Sequence, residues 1–193
     1  ALETALKRGD YLASTNEAWT WANVNVPANG GAITQTQVKA VDKFMTSING
    51  VPNLRSSIKR MNLFVGDDLS AALVPVVSDL GSGSDINNSF VSGDYSPSGL
   101  NAGLKSSGTQ TLDTTVNAGA VLKDSWHMSF RSPDGVTSSS QTQSVMGAER
   151  GFNMAKIGHF HGTPYFALGA SSAQTITHNK YLSYVSNFKS PLK

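Results

Sequence analysis

The spacing of apolar residues in the first fifty positions predicts one amphipathic helix. Apolar side chains recur there every three or four residues, the period of a helix face: Val38, Val41, Phe44 or Met45, and Ile48. Thr34 and Gln37 have the spacing of a capping box, in which each side chain binds the other's backbone N–H. The Asn49-Gly50 pair supplies a stop, because glycine suits a left-handed C-cap.

A different period appears just ahead of this helix. Trp19 and Trp21 alternate with polar neighbours and are followed by Val24 and Val26 at the same spacing of two. Side chains two residues apart share one face of a strand. The alternation therefore predicts a short extended segment before the helix.

Alternation and turn residues dominate the chain after residue 57. Strands are predicted at residues 58–65, 144–148, 153–160 and 165–168. Between the first two of these, Asp67 or Asp68 could cap a short helix that ends before Pro75. The chain is thus expected to be mainly β with a short helical N-terminal region. We place the boundary between a helix-containing docking region, residues 1–57, and a β-rich domain, residues 58–193.

The composition supports a β-rich interpretation and narrows the classes of function. Charged residues are 15% of the 193 positions, against about 25% in ordinary domains. The formal charge is +2 and the basic residues are scattered, so no nucleic-acid partner is expected. No apolar run approaches the roughly 20 residues of a membrane span, so no membrane insertion is expected. Without cysteine, the chain has neither disulfides nor thiolate metal sites.

Several phrases of the sequence resemble one family. They are KRMNLFVG at 59–66, LSAALVP at 69–75, FVSGDY at 90–95, GLK at 103–105 and TLDT at 111–114, with WAN at 21–23 and ANGG at 28–31 before them. Together they resemble tailed-bacteriophage structural proteins that carry a helical N-terminal piece and a concanavalin A-like, laminin-G-like jelly-roll domain. The resemblance covers residues 17 to 131, and it contains no catalytic signature.

The resemblance implies a non-enzymatic virion component on the phage particle surface: a fibre, attachment or capsid-decoration subunit. Its expected partners are other virion proteins and further copies of this chain. Relatives of this kind continue through more strands than are predicted here. A jelly roll needs about eight strands in two sheets, so we expect an abbreviated β-sandwich that is completed by oligomerisation. The predicted mechanism is shape-complementary docking through the tryptophan pair and the apolar helix face: Trp19, Trp21, Val38, Val41, Met45 and Ile48.

Two groups of side chains could hold a metal ion. Carboxylates in loops rich in Gly, Ser and Asn are ligands that suit Ca²⁺: Asp67, Asp68, Asp85 and Asp94. The dense spacing of a dedicated calcium loop is missing, and Asp is also common in turns and caps, which are the favoured roles. His159 and His161 stand two apart, so a strand would place both on one face, where they could bind a metal. No other cofactor is expected.

Two alternative functions follow from the same residues. A lectin-like protein that binds host cell-surface glycan would stack sugar rings on exposed aromatic side chains and bind their hydroxyls with loop Asp and Asn. A polysaccharide-degrading enzyme would need two carboxylates facing each other across a cleft. The chain has only Glu3, Glu17 and Glu149 as glutamates, and no pattern pairs them, so no catalytic residue is assigned.

Overall fold

A computed structural model describes residues 10–99, 102–106, 109–117, 143–150, 153–160 and 163–170. The chain divides into two compact units, Ala1–Val116 (unit 1) and Asn117–Lys193 (unit 2). The boundary predicted between residues 57 and 58 falls inside unit 1. The apolar core of unit 1 contains residues from both sides of this predicted boundary: Val41 and Met45 precede it, and Val74 and Val77 follow it.

The first helix in the described part of unit 1 lies where an extended segment was predicted. Helix α1 (Asn16–Thr20) continues through a π-helical turn (Trp21–Asn25) into α2 (Val26–Ala28). The Thr15 side chain caps α1 by accepting a hydrogen bond from the Ala18 N–H. The extended interpretation is wrong because it followed the alternation of the two tryptophans and the two valines after them. A second pattern with helical spacing is the one that is buried: Ala18, Trp21, Ala22 and Val26.

Helix α3 (Gln35–Asn49) is the central element of unit 1, and the prediction of it is confirmed. Both hydrogen bonds of the capping box between Thr34 and Gln37 are present. The buried residues of the helix lie on the predicted face, which is completed by Met45 and not by Phe44. The left-handed C-cap is wrong, because Gly50 has a right-handed φ of −73°. The left-handed residue is Asn53, which precedes the short helix α4 (Leu54–Ser57).

The segment after α4 packs against the core and forms a short two-stranded sheet. Strand β1 (Arg60–Met61) is antiparallel to β2 (Val77–Ser78), so the strand predicted at 58–65 is ladder-paired at only two residues. Helix α5 (Leu69–Ala72) lies between them and ends before Pro75, as predicted. Asp68 is its N-cap and accepts a hydrogen bond from the Ala71 N–H.

Small two-stranded sheets complete unit 1. Strand β3 (Ile86–Asn88) pairs with β6 (Thr111–Asp113), and β4 (Tyr95–Ser96) pairs with β5 (Gly103–Leu104). We call β3 and β6, together with residues 80–85 and 114–116, the exit layer, because unit 1 ends in it. Within the described parts of the chain, no helix is long and apolar enough to cross a bilayer.

Unit 2 contains an antiparallel meander. Its strands β7 (Gln143–Arg150), β8 (Asn153–Phe160) and β9 (Thr163–Ala170) confirm the three predicted in this region. β8 is central, and its Ile157 lies opposite Met146 on one side and Phe166 on the other. Three strands do not decide between a jelly roll and other β folds, so the concanavalin A-like sandwich stays a prediction.

Close packing beneath α5 leads to a first testable prediction. A Cβ added to Gly66 would collide with the Ala71 side chain, and one added to Gly31 would lie 2.5 Å from the Ala71 nitrogen. Gly66→Ala is therefore expected to lower the free energy of unfolding by about 1–3 kcal/mol, the usual cost of overpacking. Urea denaturation measures this loss. Gly93→Ala is the control, because a Cβ there meets nothing within 4 Å, and an equal loss in both variants would contradict the packing argument.

Candidate functional site

The residues predicted to form a docking surface lie inside unit 1. Trp21 is 1% exposed and Met45 is 0% exposed, and the Trp21 Nε1–H donates to the Val74 carbonyl oxygen at 3.1 Å. Val38, Val41 and Ile48 are buried in the same cluster. Only Trp19 is partly accessible. The docking assignment is therefore corrected: this apolar face covers the core of its own chain, where a partner could not reach it without unfolding unit 1.

Other apolar side chains are exposed next to that face. Phe44 on α3 is 44% exposed, Val51 just beyond the helix is 50% exposed, and Leu54 at the start of α4 is 39% exposed. Phe44 and Val51 stand seven residues apart in the sequence, and α3 ends at Asn49 between them. The Leu54 N–H donates to the Val51 carbonyl oxygen at 3.1 Å. We call these three residues the apolar edge. Sequence reasoning missed it because Phe44 was treated as an alternative to Met45 on the buried face.

The aspartates proposed as calcium ligands have separate structural roles. Asp68 caps α5 and also accepts from the Ala32 N–H at 2.9 Å. The adjacent Asp67 accepts from the Gln37 side chain at 2.9 Å. Asp94 accepts from the Val91 N–H at 2.9 Å within a local turn. Asp68 and Asp94 thus have the cap and turn roles that were favoured, whereas Asp67 connects its loop to Gln37 on α3.

Asp85, unlike the other three aspartates, belongs to a buried polar cluster. Its two carboxylate oxygens accept from Arg60 Nη2 at 2.5 Å and from Asn62 Nδ2 at 2.7 Å. The Asp85 side chain is 2% exposed and that of Arg60 is 10% exposed. Arg60 also donates to the carbonyl oxygens of Leu80 and Ser82 through Nη1. The cluster thus ties β1 to the exit layer.

No calcium site is formed by these residues. Among the described residues, no group of three or more acidic or histidine side chains is close enough to hold a metal ion. His159 lies on β8 opposite Gln143 and Pro164, and His161 lies outside the described residues. A histidine metal site therefore stays a prediction.

Asp42 holds the segment just before α1, and the sequence did not single it out. One oxygen accepts from the backbone N–H and hydroxyl of Ser14, and the other accepts from the same groups of Thr15. Burial raises the pKa of Asp42, but these four hydrogen bonds outweigh it and leave the pKa below its usual value. Because Thr15 is also the cap of α1, Asp42 fixes that helix against α3.

The lowered pKa of Asp42 predicts a loss of stability in acid. A carboxylate with a depressed pKa stabilises the fold above its unfolded pKa, near 3.9, and this contribution is lost as pH falls through the folded pKa. Asp42→Asn is expected to cost about 1 kcal/mol at neutral pH, a value discounted for partial exposure. Chemical denaturation at pH 7 and pH 3 measures the difference. A difference between wild type and variant that does not shrink in acid would contradict this role.

Arg55 makes a second bridge between segments of unit 1. Its Nε donates to Glu17 on α1 at 2.9 Å, and its Nη1 donates to Asp79 after β2 at 3.0 Å. The hydrogen bond from Arg55 lowers the pKa of Asp79 and outweighs the effect of partial burial. Both pairs are partly exposed, so their main effect is to fix positions, since exposed ion pairs contribute little stability.

Comparison of the chain with protein-family models, with curated proteins and with solved structures found no match. The function therefore has to be argued from the residues themselves. The described charged side chains share one feature: each joins separate segments of unit 1. They are Asp42, Arg55, Arg60 and Asp85.

Proposed function

We propose that the chain is a non-enzymatic structural protein of a tailed-phage virion, a fibre, attachment or capsid-decoration subunit that acts by assembly and surface contact. Its partners would be other virion proteins and further copies of the chain. The observation that supports this proposal is the use of charged side chains in unit 1. Asp42, Arg55 and the pair of Arg60 with Asp85 hold chain segments in place, as expected of a module whose task is to keep its shape.

The apolar edge gives this proposal a surface on unit 1. Assembly draws much of its free energy from apolar area removed from water, and single exposed apolar residues are otherwise common. The edge has three such residues in the second half of α3 and the segment that follows it, all of them accessible to another virion protein. The core residues that the sequence suggested for docking do not offer this access.

Particle fractionation tests the proposal. Phage particles from the source that encodes this chain would be banded by density, and their proteins identified by mass spectrometry. We expect peptides of this chain to band with infectious particles, and antibodies against the purified chain to decorate the particle surface. Particles without the chain, or a chain that remains with the soluble host fraction, would contradict a virion role.

Variants of the apolar edge test where assembly occurs. Phe44→Ser with Leu54→Ser is expected to reduce incorporation into particles about tenfold or more, since two anchor side chains together are worth well above 1.4 kcal/mol. Val91→Ser is the control, because Val91 is 63% exposed and lies elsewhere on unit 1. Incorporation and circular dichroism would be measured together. Normal incorporation of the folded double variant would remove the edge from the proposal and leave the virion role in place.

A further inference from the structure

The exit layer has few apolar contacts with the rest of unit 1. Within the described residues, the buried apolar cluster extends along the sequence only as far as Val77. Strands β3 and β6 have three residues each, and Ile86 on β3 is 49% exposed. A layer with short strands and little buried apolar surface has a low free energy of local opening. Its attachment therefore depends on polar anchors.

Arg60 is the centre of these anchors. Its guanidinium contacts the exit layer at three places, the Leu80 and Ser82 carbonyl oxygens and the Asp85 carboxylate. Backbone hydrogen bonds add to it, from Leu80 N–H to the Lys59 carbonyl at 3.1 Å and from Asp85 N–H to the Leu73 carbonyl at 2.8 Å. The Arg60 side chain and two backbone hydrogen bonds thus hold the first half of the exit layer in place.

The second half of the exit layer is attached through the first. The Ser82 N–H donates to the Thr114 carbonyl oxygen at 3.3 Å. Gly81 has a φ of +86°, and a Cβ there would lie 2.8 Å from Arg60 Nη1, 2.9 Å from the Val116 side chain, and closest of all to the Thr114 carbonyl. Only glycine lets the turn and the end of unit 1 approach so closely around the guanidinium.

We propose that Arg60 is a latch that closes the exit layer on unit 1. When the latch is closed, the chain leaves unit 1 at a fixed place, because residues 114–116 rest on the turn that Arg60 holds. When it opens, the exit layer separates while the helical core stays folded. Tyr95 keeps β4 and β5 attached in the open state, because its hydroxyl donates to the Gly66 carbonyl oxygen at 2.8 Å independently of Arg60.

Native-state hydrogen exchange of the full chain tests the latch. In the wild type, we expect the amides paired between β3 and β6 to be at least about tenfold less protected than those in the middle of α3, with a weaker dependence on urea. Gly81→Ala is expected to lower their protection by about a further tenfold, the cost of a left-handed alanine alone. The helical circular dichroism signal should persist in this variant.

Gly83→Ala is the matched control, two residues away, because a Cβ there meets nothing within 4 Å. It should leave the protection of β3 and β6 unchanged. Equal protection and equal urea dependence for α3 and the exit layer would overturn the proposal, since unit 1 would then open only as a whole. Unchanged exit-layer protection in Gly81→Ala would overturn it as well. Neither result depends on a virion role.

Discussion

Trp21→Ala is expected to lower the free energy of unfolding of unit 1 by about 3–5 kcal/mol, the usual cost of truncating a buried aromatic residue. Trp21 is 1% exposed and is among the largest fully buried side chains of unit 1. Its removal would leave a cavity in the cluster that contains Val38 and Met45. It would also leave the Val74 carbonyl oxygen without the indole N–H that it now accepts from.

Two further variants separate the causes of this loss. Trp21→Phe keeps most of the apolar volume but removes the N–H, so we expect it to cost about 1–3 kcal/mol. Trp19→Ala should cost clearly less than Trp21→Ala, because Trp19 is only partly buried. Urea denaturation followed by circular dichroism measures all three. Similar losses for Trp19→Ala and Trp21→Ala would contradict the assignment of Trp21 to the core.

The elements that could be predicted from the sequence are those with local signals. Helix α3 has its cap, its apolar face and its end in one continuous segment between Thr34 and Gly50, and the Asp68 cap lies next to the helix that it begins. The helix around Trp21 was missed because two periods coexist there. Alternating tryptophans indicate a strand, whereas Ala18 and Ala22 are small and give a weak signal for the buried face. Tertiary packing decided between the two patterns.

The site could be predicted less well, for a physical reason. An apolar helix face has the same pattern whether it covers its own core or a partner, so Val38 and Met45 could not be assigned to one of them from spacing. Likewise, the sequence around a loop aspartate is the same whether the carboxylate binds a metal ion or pairs with an arginine. Asp85 is 25 residues from Arg60 in sequence, and only the folded chain shows that the two meet.

Asp85→Asn is expected to destabilise the closed exit layer by about 3–5 kcal/mol, the usual cost of removing one partner of a buried ion pair. The substitution keeps the shape of the side chain but removes its charge. Asp85 now accepts from Arg60 on one oxygen and from Asn62 on the other. Asparagine has a single acceptor oxygen, so one of these donors would face an NH₂ group while Arg60 stays charged and buried.

Two methods should report this loss differently if Arg60 is a latch. Hydrogen exchange of the β3 and β6 amides would show the whole loss of free energy, up to the point at which these amides have no protection left. Urea unfolding of α3 would lose no more than the free energy needed to open the exit layer, because the open state does not contain the broken pair.

Asp79→Asn is the control variant. It alters an exposed carboxylate paired with Arg55 and should cost less than about 1 kcal/mol. Replacing both charges, with Arg60→Met and Asp85→Leu together, should recover only part of the loss. It removes the unpaired buried charge, but it leaves the Leu80 and Ser82 carbonyl oxygens without the Arg60 donor. A double variant as unstable as Asp85→Asn would show that the Arg60 contacts with Leu80 and Ser82, and not the buried charge, close the exit layer.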